Sequence, residues 1–66
     1  MDFSEKIRFV RERLEMSQED LARELNVSYA SIHRWEYAKT KPIKLVRAAF
    51  DDFCNKRGIS FDESEG

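Results

Sequence analysis

One cysteine, one histidine, one proline and two glycines among 66 residues set the first limits on this chain. The lone Cys54 excludes an intrachain disulfide, so packing alone must hold whatever core forms. The lone His33 has no second histidine, cysteine or paired acid at ligand spacing, which leaves a metal site without a basis. No run of eighteen apolar residues occurs and no basic-then-apolar leader is visible. Membrane insertion and secretion are therefore not expected, and the cytoplasm is the expected compartment. No nucleophile and base pair, glycine-rich phosphate loop or metal-ligand cluster stands out. An enzyme is not expected, and no cofactor is implied.

What is present is a balance of 41% hydrophobic and 38% charged residues. That suits a small all-α bundle whose short helices each bury one stripe. The length allows one domain, with one modest core. The net charge of −1 argues at first against a polyanionic partner, because non-specific DNA affinity comes mainly from neutralising phosphates. Its distribution argues otherwise. Residues 1–27 carry five basic and seven acidic side chains, and residues 51–66 carry two and five. Between them Arg34, Lys39, Lys41, Lys44 and Arg47 face Glu36 alone, which gives residues 28–50 a charge of +4. The positive field lies in the middle third.

Phe3, Ile7, Val10 and Leu14 recur every three or four residues and predict a first helix over 3–15. Phe9 lies off that stripe. Ser17 reads as an N-cap with Asp20 as a capping-box acid, opening a short helix that buries Leu21, Ala22 and Leu25. Asn26 stands where a tight turn needs a left-handed residue. Ser28 then caps a third helix to about Tyr37, with Ile32 and Trp35 facing inward. Residues 38–41 form a polar loop, and Pro42 suits the first position of a fourth helix. Ile43, Val46, Phe50 and Phe53 continue the apolar rhythm, Lys56 and Arg57 sit in the last turn, and Gly58 falls just beyond it. Ser60 and Glu63 offer another capping box, for a fifth helix of one turn at most. The expectation is a compact four- to five-helix bundle over 1–58, with a short frayed tail over 59–66.

Counting 100° per residue from Ile32 places Trp35 about 60° to one side and Ala30 and Arg34 about 160° and 200° away. His33 and Tyr37 flank that outer line, with Tyr29 nearer its edge. A protruding helix of this diameter fits the major groove, where base edges display distinct donors and acceptors. Arg34, with its planar fork, is the leading candidate for a guanine contact. Ala30 offers only an apolar surface, suited to a thymine methyl. Simpler readings stand beside these. Trp35 at that spacing from Ile32 is a core residue rather than a base stacker, Cys54 a buried or half-buried thiol, and Tyr29 and the lysines a solvated surface.

The stretch 16–42, MSQEDLARELNVSYASIHRWEYAKTKP, resembles the helix-turn-helix of the phage repressor and Cro family, the xenobiotic-response-element type of bacterial regulator. Ser17, Gln18, Leu21 and Ala22 match its S-Q-x-x-L-A opening, Ile32, Trp35 and Glu36 its I-x-x-W-E, and Lys39 and Pro42 its K-x-x-P. Asn26 departs from the usual glycine of the turn, and Tyr37 and Ala38 from the usual Asn-Gly. With flanking helices the resemblance covers roughly 4–58. It implies a lambda-repressor-like fold and sequence-specific binding of double-stranded DNA, with transcription regulation as the role. Ser28, Tyr29, Ala30, His33 and Arg34 would meet bases. Gln18 would bond a backbone phosphate, joined by Tyr37, Lys39, Lys41, Lys44 and Arg11, while an Arg11–Glu36 ion pair would tie the third helix to the first. The family's paired geometry implies a homodimer formed mainly on DNA, using Leu45, Ala48 and Phe61. The competing reading is a protein-interaction module, antitoxin-like or an adaptor subunit, built on the same core.

Overall fold

The computed structural model describes residues 2–38 and 40–61. Four helices follow one another: α1 (Phe3–Leu14), α2 (Gln18–Leu25), α3 (Tyr29–Tyr37) and α4 (Lys44–Lys56). No strand occurs among the described residues. Asp2 and Ser17 each complete a capping box, with Glu5 and Asp20 respectively returning a bond to the cap backbone. The Ser17 backbone N–H, and then its hydroxyl, hold the Asp20 carboxyl below its ordinary range. Ser28 caps α3 through the Ser31 backbone N–H.

Three helices end by the same device. Glu15, Asn26 and Gly58 take positive φ, at 56°, 59° and 75°. The next residue's N–H then reaches back to a carbonyl five positions earlier: Met16 to Arg11, Val27 to Ala22, Ile59 to Cys54. In each case that next residue is apolar and packs on the core, which is the hydrophobic contact that accompanies this kind of helix stop. Asn26 and Gly58 are legible as such stops. Glu15 is not, since glutamate has no preference for the left-handed region; the packing of the partly buried Met16 on the core and its backbone bond to Arg11 hold it there.

α3 packs against both α1 and α2, and α4 closes the far side of α2. The core joins Ile7 and Val10 of α1, Leu21, Ala22 and Leu25 of α2, Ile32 and Trp35 of α3, and Phe50, Phe53 and Cys54 of α4. Leu14 and Val46, expected inside, lie at its margin. Phe3 sits edge-on to both Trp35 and Phe50, with ring centres 5.7 and 5.1 Å apart.

Two expectations are corrected. α4 begins at Lys44 rather than Pro42: Ile43 is the extended N-cap residue and is 69% exposed, whereas Pro42 is buried ahead of it. A ring that anchors the incoming chain leaves the helix to start two residues later. The tail is also shorter than expected. Gly58 turns the chain so that Ile59 enters the core, and Phe61 packs on Phe9 and Phe50 with Lys6 over its ring. Phe61 therefore makes intramolecular contacts and is half-buried. The Ser60 and Glu63 capping box falls partly outside the described residues, and 59–61 are not helical.

Burial pushes the Cys54 thiol up to about 11 from 9.0. The neutral thiol is favoured on folding, so this contribution is fully present below pH 9.0 and is lost as pH rises through about 11. Alkylation of Cys54 near neutral pH should therefore follow global unfolding, with a rate that rises in step with the unfolded fraction in a urea series. Glu15→Gly should raise stability by about 0.5–1 kcal/mol, the relief of left-handed strain less the added chain entropy of glycine. Urea melts of the two proteins measure this directly, and an unchanged or lower midpoint would contradict it.

Candidate nucleic-acid interface

α3 divides cleanly around its axis. Ile32, Trp35 and Glu36 are buried, while Tyr29, Ala30, His33, Arg34 and Tyr37 are exposed. Ala30 and Arg34 stand on the outermost line, as the 100° count requires. Among the described residues Arg34 makes no hydrogen bond or ion pair, so its five N–H groups face outward unclaimed. With Tyr29, Ala30, His33, Tyr37 and Ala38 it lines an open concavity of about 580 Å³. A second, of about 430 Å³, runs from Tyr29 and Tyr37 to Ser17, Gln18 and Glu19 at the start of α2, with Arg11 at its edge. The first turn of α2 and the outer face of α3 thus form one continuous surface.

Glu36 is what sets α3 in place. Its side chain is 0% exposed, and its carboxylate accepts from Arg11 Nε at 2.6 Å, from Arg11 Nη2 at 3.2 Å and from Gln18 Nε2 at 3.1 Å. Its backbone carbonyl accepts from the buried Ser4 hydroxyl at 2.8 Å and from Arg8 at 3.4 Å. Arg11 also donates to the Met16 carbonyl at 3.2 Å. The hydrogen bond to Glu36 raises the Arg11 pKa above its ordinary value, so the guanidinium stays charged. One residue of α3 is thereby bonded to α1 and α2 together. A sequence signal for this existed: Glu36 lies about 40° from Ile32 on the helix and is the sole acid of the basic third. An acid on the apolar face of a helix needs a cation, and Arg11 supplies it.

This geometry changes how several expected contacts read. Arg11 directs Nε, Nη1 and Nη2 to protein acceptors, so it is a structural residue with little left for a phosphate. Gln18 gives one N–H to Glu36 and keeps its second N–H and amide oxygen toward the surface. Ser28 Oγ is taken up by the α3 cap and lies 3.0 Å from Ser31 Oγ. Lys41, in the loop after α3, and Lys44, at the start of α4, are exposed, and Lys39 lies outside the described residues.

Spacing also hid an aromatic ladder. Tyr29, His33 and Tyr37 follow one another at i, i+4 and i+8, with ring centres 6.1 and 4.6 Å apart. Counting each residue's angle separately does not reveal that the three rings touch.

Two short helices joined by a three-residue turn, with the outer face of the second left free, define the class of a helix-turn-helix protein. The helix-turn-helix family pattern matches residues 7–42, and the chain belongs to that family, of Cro/C1 type. It is accordingly a DNA-binding helix-turn-helix protein of the transcription-regulator kind, a family that is generally non-enzymatic. Comparison with curated proteins and with solved structures finds no match.

The Glu36 cluster yields a stability test. Arg11→Met should cost about 3–5 kcal/mol, because it leaves a buried carboxylate without its cation. Adding Glu36→Leu should return a large part of that loss, since an apolar pair of similar volume avoids both desolvation terms. Urea melts of the two single variants and the double variant measure it; a double variant less stable than Arg11→Met would refute the account.

Proposed function

We propose that this protein binds specific double-stranded DNA sequences by placing α3 in the major groove and acts as a transcription regulator in the cytoplasm. The observation that carries the reading is the unpartnered outer face of α3, with Arg34 at its centre, set on a helix-turn-helix whose middle third is positive. Arg34 bonds a guanine through O6 and N7. Ser28, Tyr29, Ala30 and His33 complete the base-reading surface. Gln18, Lys39, Lys41 and Lys44 hold phosphates and fix the register without specifying sequence, and the Tyr37 hydroxyl adds a phosphate contact while its ring stays turned to the groove.

The longest dimension of the domain is 30 Å, shorter than the roughly 34 Å that separates successive half-sites on one face of the duplex. Each copy therefore reads one half-site, and two copies pair on DNA. Leu45, 76% exposed, and Ala48 on α4 supply the contact. So small a patch gives a dimer that forms mainly when DNA brings the copies together.

Selection of bound duplexes from a random pool should enrich a motif, and affinity for it should fall steeply with salt. Arg34→Ala should cost about 1–3 kcal/mol and relax preference at one position. Lys41→Ala and Lys44→Ala should each lower the salt slope by about one with the motif unchanged. Failure to enrich any motif, together with a flat salt response, would reject the proposal in favour of a protein-interaction module.

A further inference from the structure

We propose that the Tyr29–His33–Tyr37 ladder, with Ala30 beside it, reads the 5-methyl groups of pyrimidines, so that the preferred half-site sets thymines next to a single guanine held by Arg34. The inference rests on the DNA-binding reading above and adds the base chemistry that the face selects.

The argument begins with what the outer face of α3 contains. Its exposed residues are Tyr29, Ala30, His33, Arg34 and Tyr37. None is asparagine or glutamine, the side chains that grip adenine through N6 and N7, and none is an acid able to accept from cytosine N4. Glu36 is buried and committed to Arg11 and Gln18. Arg34 alone has a fork. His33 has two ring nitrogens pointing in divergent directions and cannot make a bidentate contact with one base edge. What remains for recognition is one methyl group and three rings, whose hydroxyls and imidazole nitrogens can bond singly but whose faces are apolar. In the major groove the apolar counterpart is the C5-methyl group of thymine.

The rings are also arranged for contact. Tyr29 and Tyr37 are 49% and 63% exposed, yet each lies against His33. The ladder therefore presents a preorganised apolar stripe, with less side-chain freedom to lose on binding than separate exposed rings would have. Eight residues at 1.5 Å give it a length of about 12 Å, some three to four base steps of 3.4 Å. Ala30 and Arg34 are four residues and about 6 Å apart, so the guanine and the nearest methyl contact are separated by about two steps.

5-Methylcytosine carries its methyl at the same ring position, so the ladder accepts it where cytosine alone is disfavoured. The test uses the duplex enriched from a random pool and fluorescence anisotropy at fixed salt. Each thymine is replaced singly by uracil, which removes only the methyl group. Binding should weaken about fourfold at thymines within three or four steps of the Arg34 guanine, the effect of exposing one buried methyl, and stay level elsewhere. Cytosine placed at such a position should bind more tightly when methylated. In Tyr29→Ala and Tyr37→Ala, surface changes on a helix held from its other side, the uracil penalty should shrink at the position each ring covers. An enriched motif with thymine and uracil equivalent at every position would overturn the ladder's role and leave the DNA-binding function standing. Failure to enrich a motif would overturn both.

Discussion

A carboxylate removed from water must be answered by a cation and by hydrogen-bond donors, and in this protein that requirement falls on Glu36. Its partners come from two other helices: Arg11 on α1, and Gln18 at the first residue of α2. Ser4 and Arg8 add bonds from α1 to its carbonyl. The three helices that carry the helix-turn-helix thus meet at one residue near the C-terminal end of α3. A purely apolar contact tolerates a slide of a fraction of a turn. A bidentate guanidinium and carboxylate pair does not, because its two parallel bonds fix both distance and angle. The orientation of the exposed face of α3 is therefore set from behind by charge, with Ile32 and Trp35 providing the burial.

That arrangement explains how nine residues can do two jobs. The inner third of α3 is devoted to the core and to the Glu36 cluster, and everything else on the helix is released from structural duty. Ser28 is the exception at its start, where the cap bond to Ser31 stabilises the first turn and restricts the hydroxyl. Arg34, Ala30 and the aromatic ladder lie outside the buried core, and so they can vary in chemistry with little effect on it. A recognition surface that is energetically separate from the core is what allows one scaffold to read different sequences.

Much of this was legible beforehand, for physical reasons. The caps at Ser17 and Ser28, the turn at Asn26 and the stop at Gly58 depend on local chemistry that a short window contains. The inward and outward faces of α3 depend on a single angular period. The pairing of Arg11 with Glu36 was legible only through family resemblance, although the angular position of Glu36 pointed the same way. Features that escaped the sequence depend on distance. Glu15 is left-handed because Met16 packs on the core, Pro42 precedes α4 because its ring anchors the incoming chain, and Ile59 enters the core with Phe61 packed against it because Gly58 turns the chain back. None of these is encoded within a few residues of itself. The ladder is a different failure. Its i, i+4, i+8 spacing was local, but attention to which way each ring points concealed that the rings meet.

Net acidity, which first seemed to oppose a DNA partner, fits the proposed role once charge is placed on the fold. Residues 28–50 carry +4, with Arg34 on α3, Lys41 in the following loop and Lys44 and Arg47 on α4, while Glu19 lies at the α2 edge of the same surface. On the proposed reading the positive middle third draws a duplex toward α3, so the field orients the encounter as well as strengthening it. Specificity is a ratio of site affinity to background affinity, so phosphate contacts raise both terms and base contacts alone raise the ratio. On the proposed reading, a domain with one guanidinium fork and a ladder of rings gains discrimination when two copies read together, and weak pairing on α4 would then serve to require both half-sites.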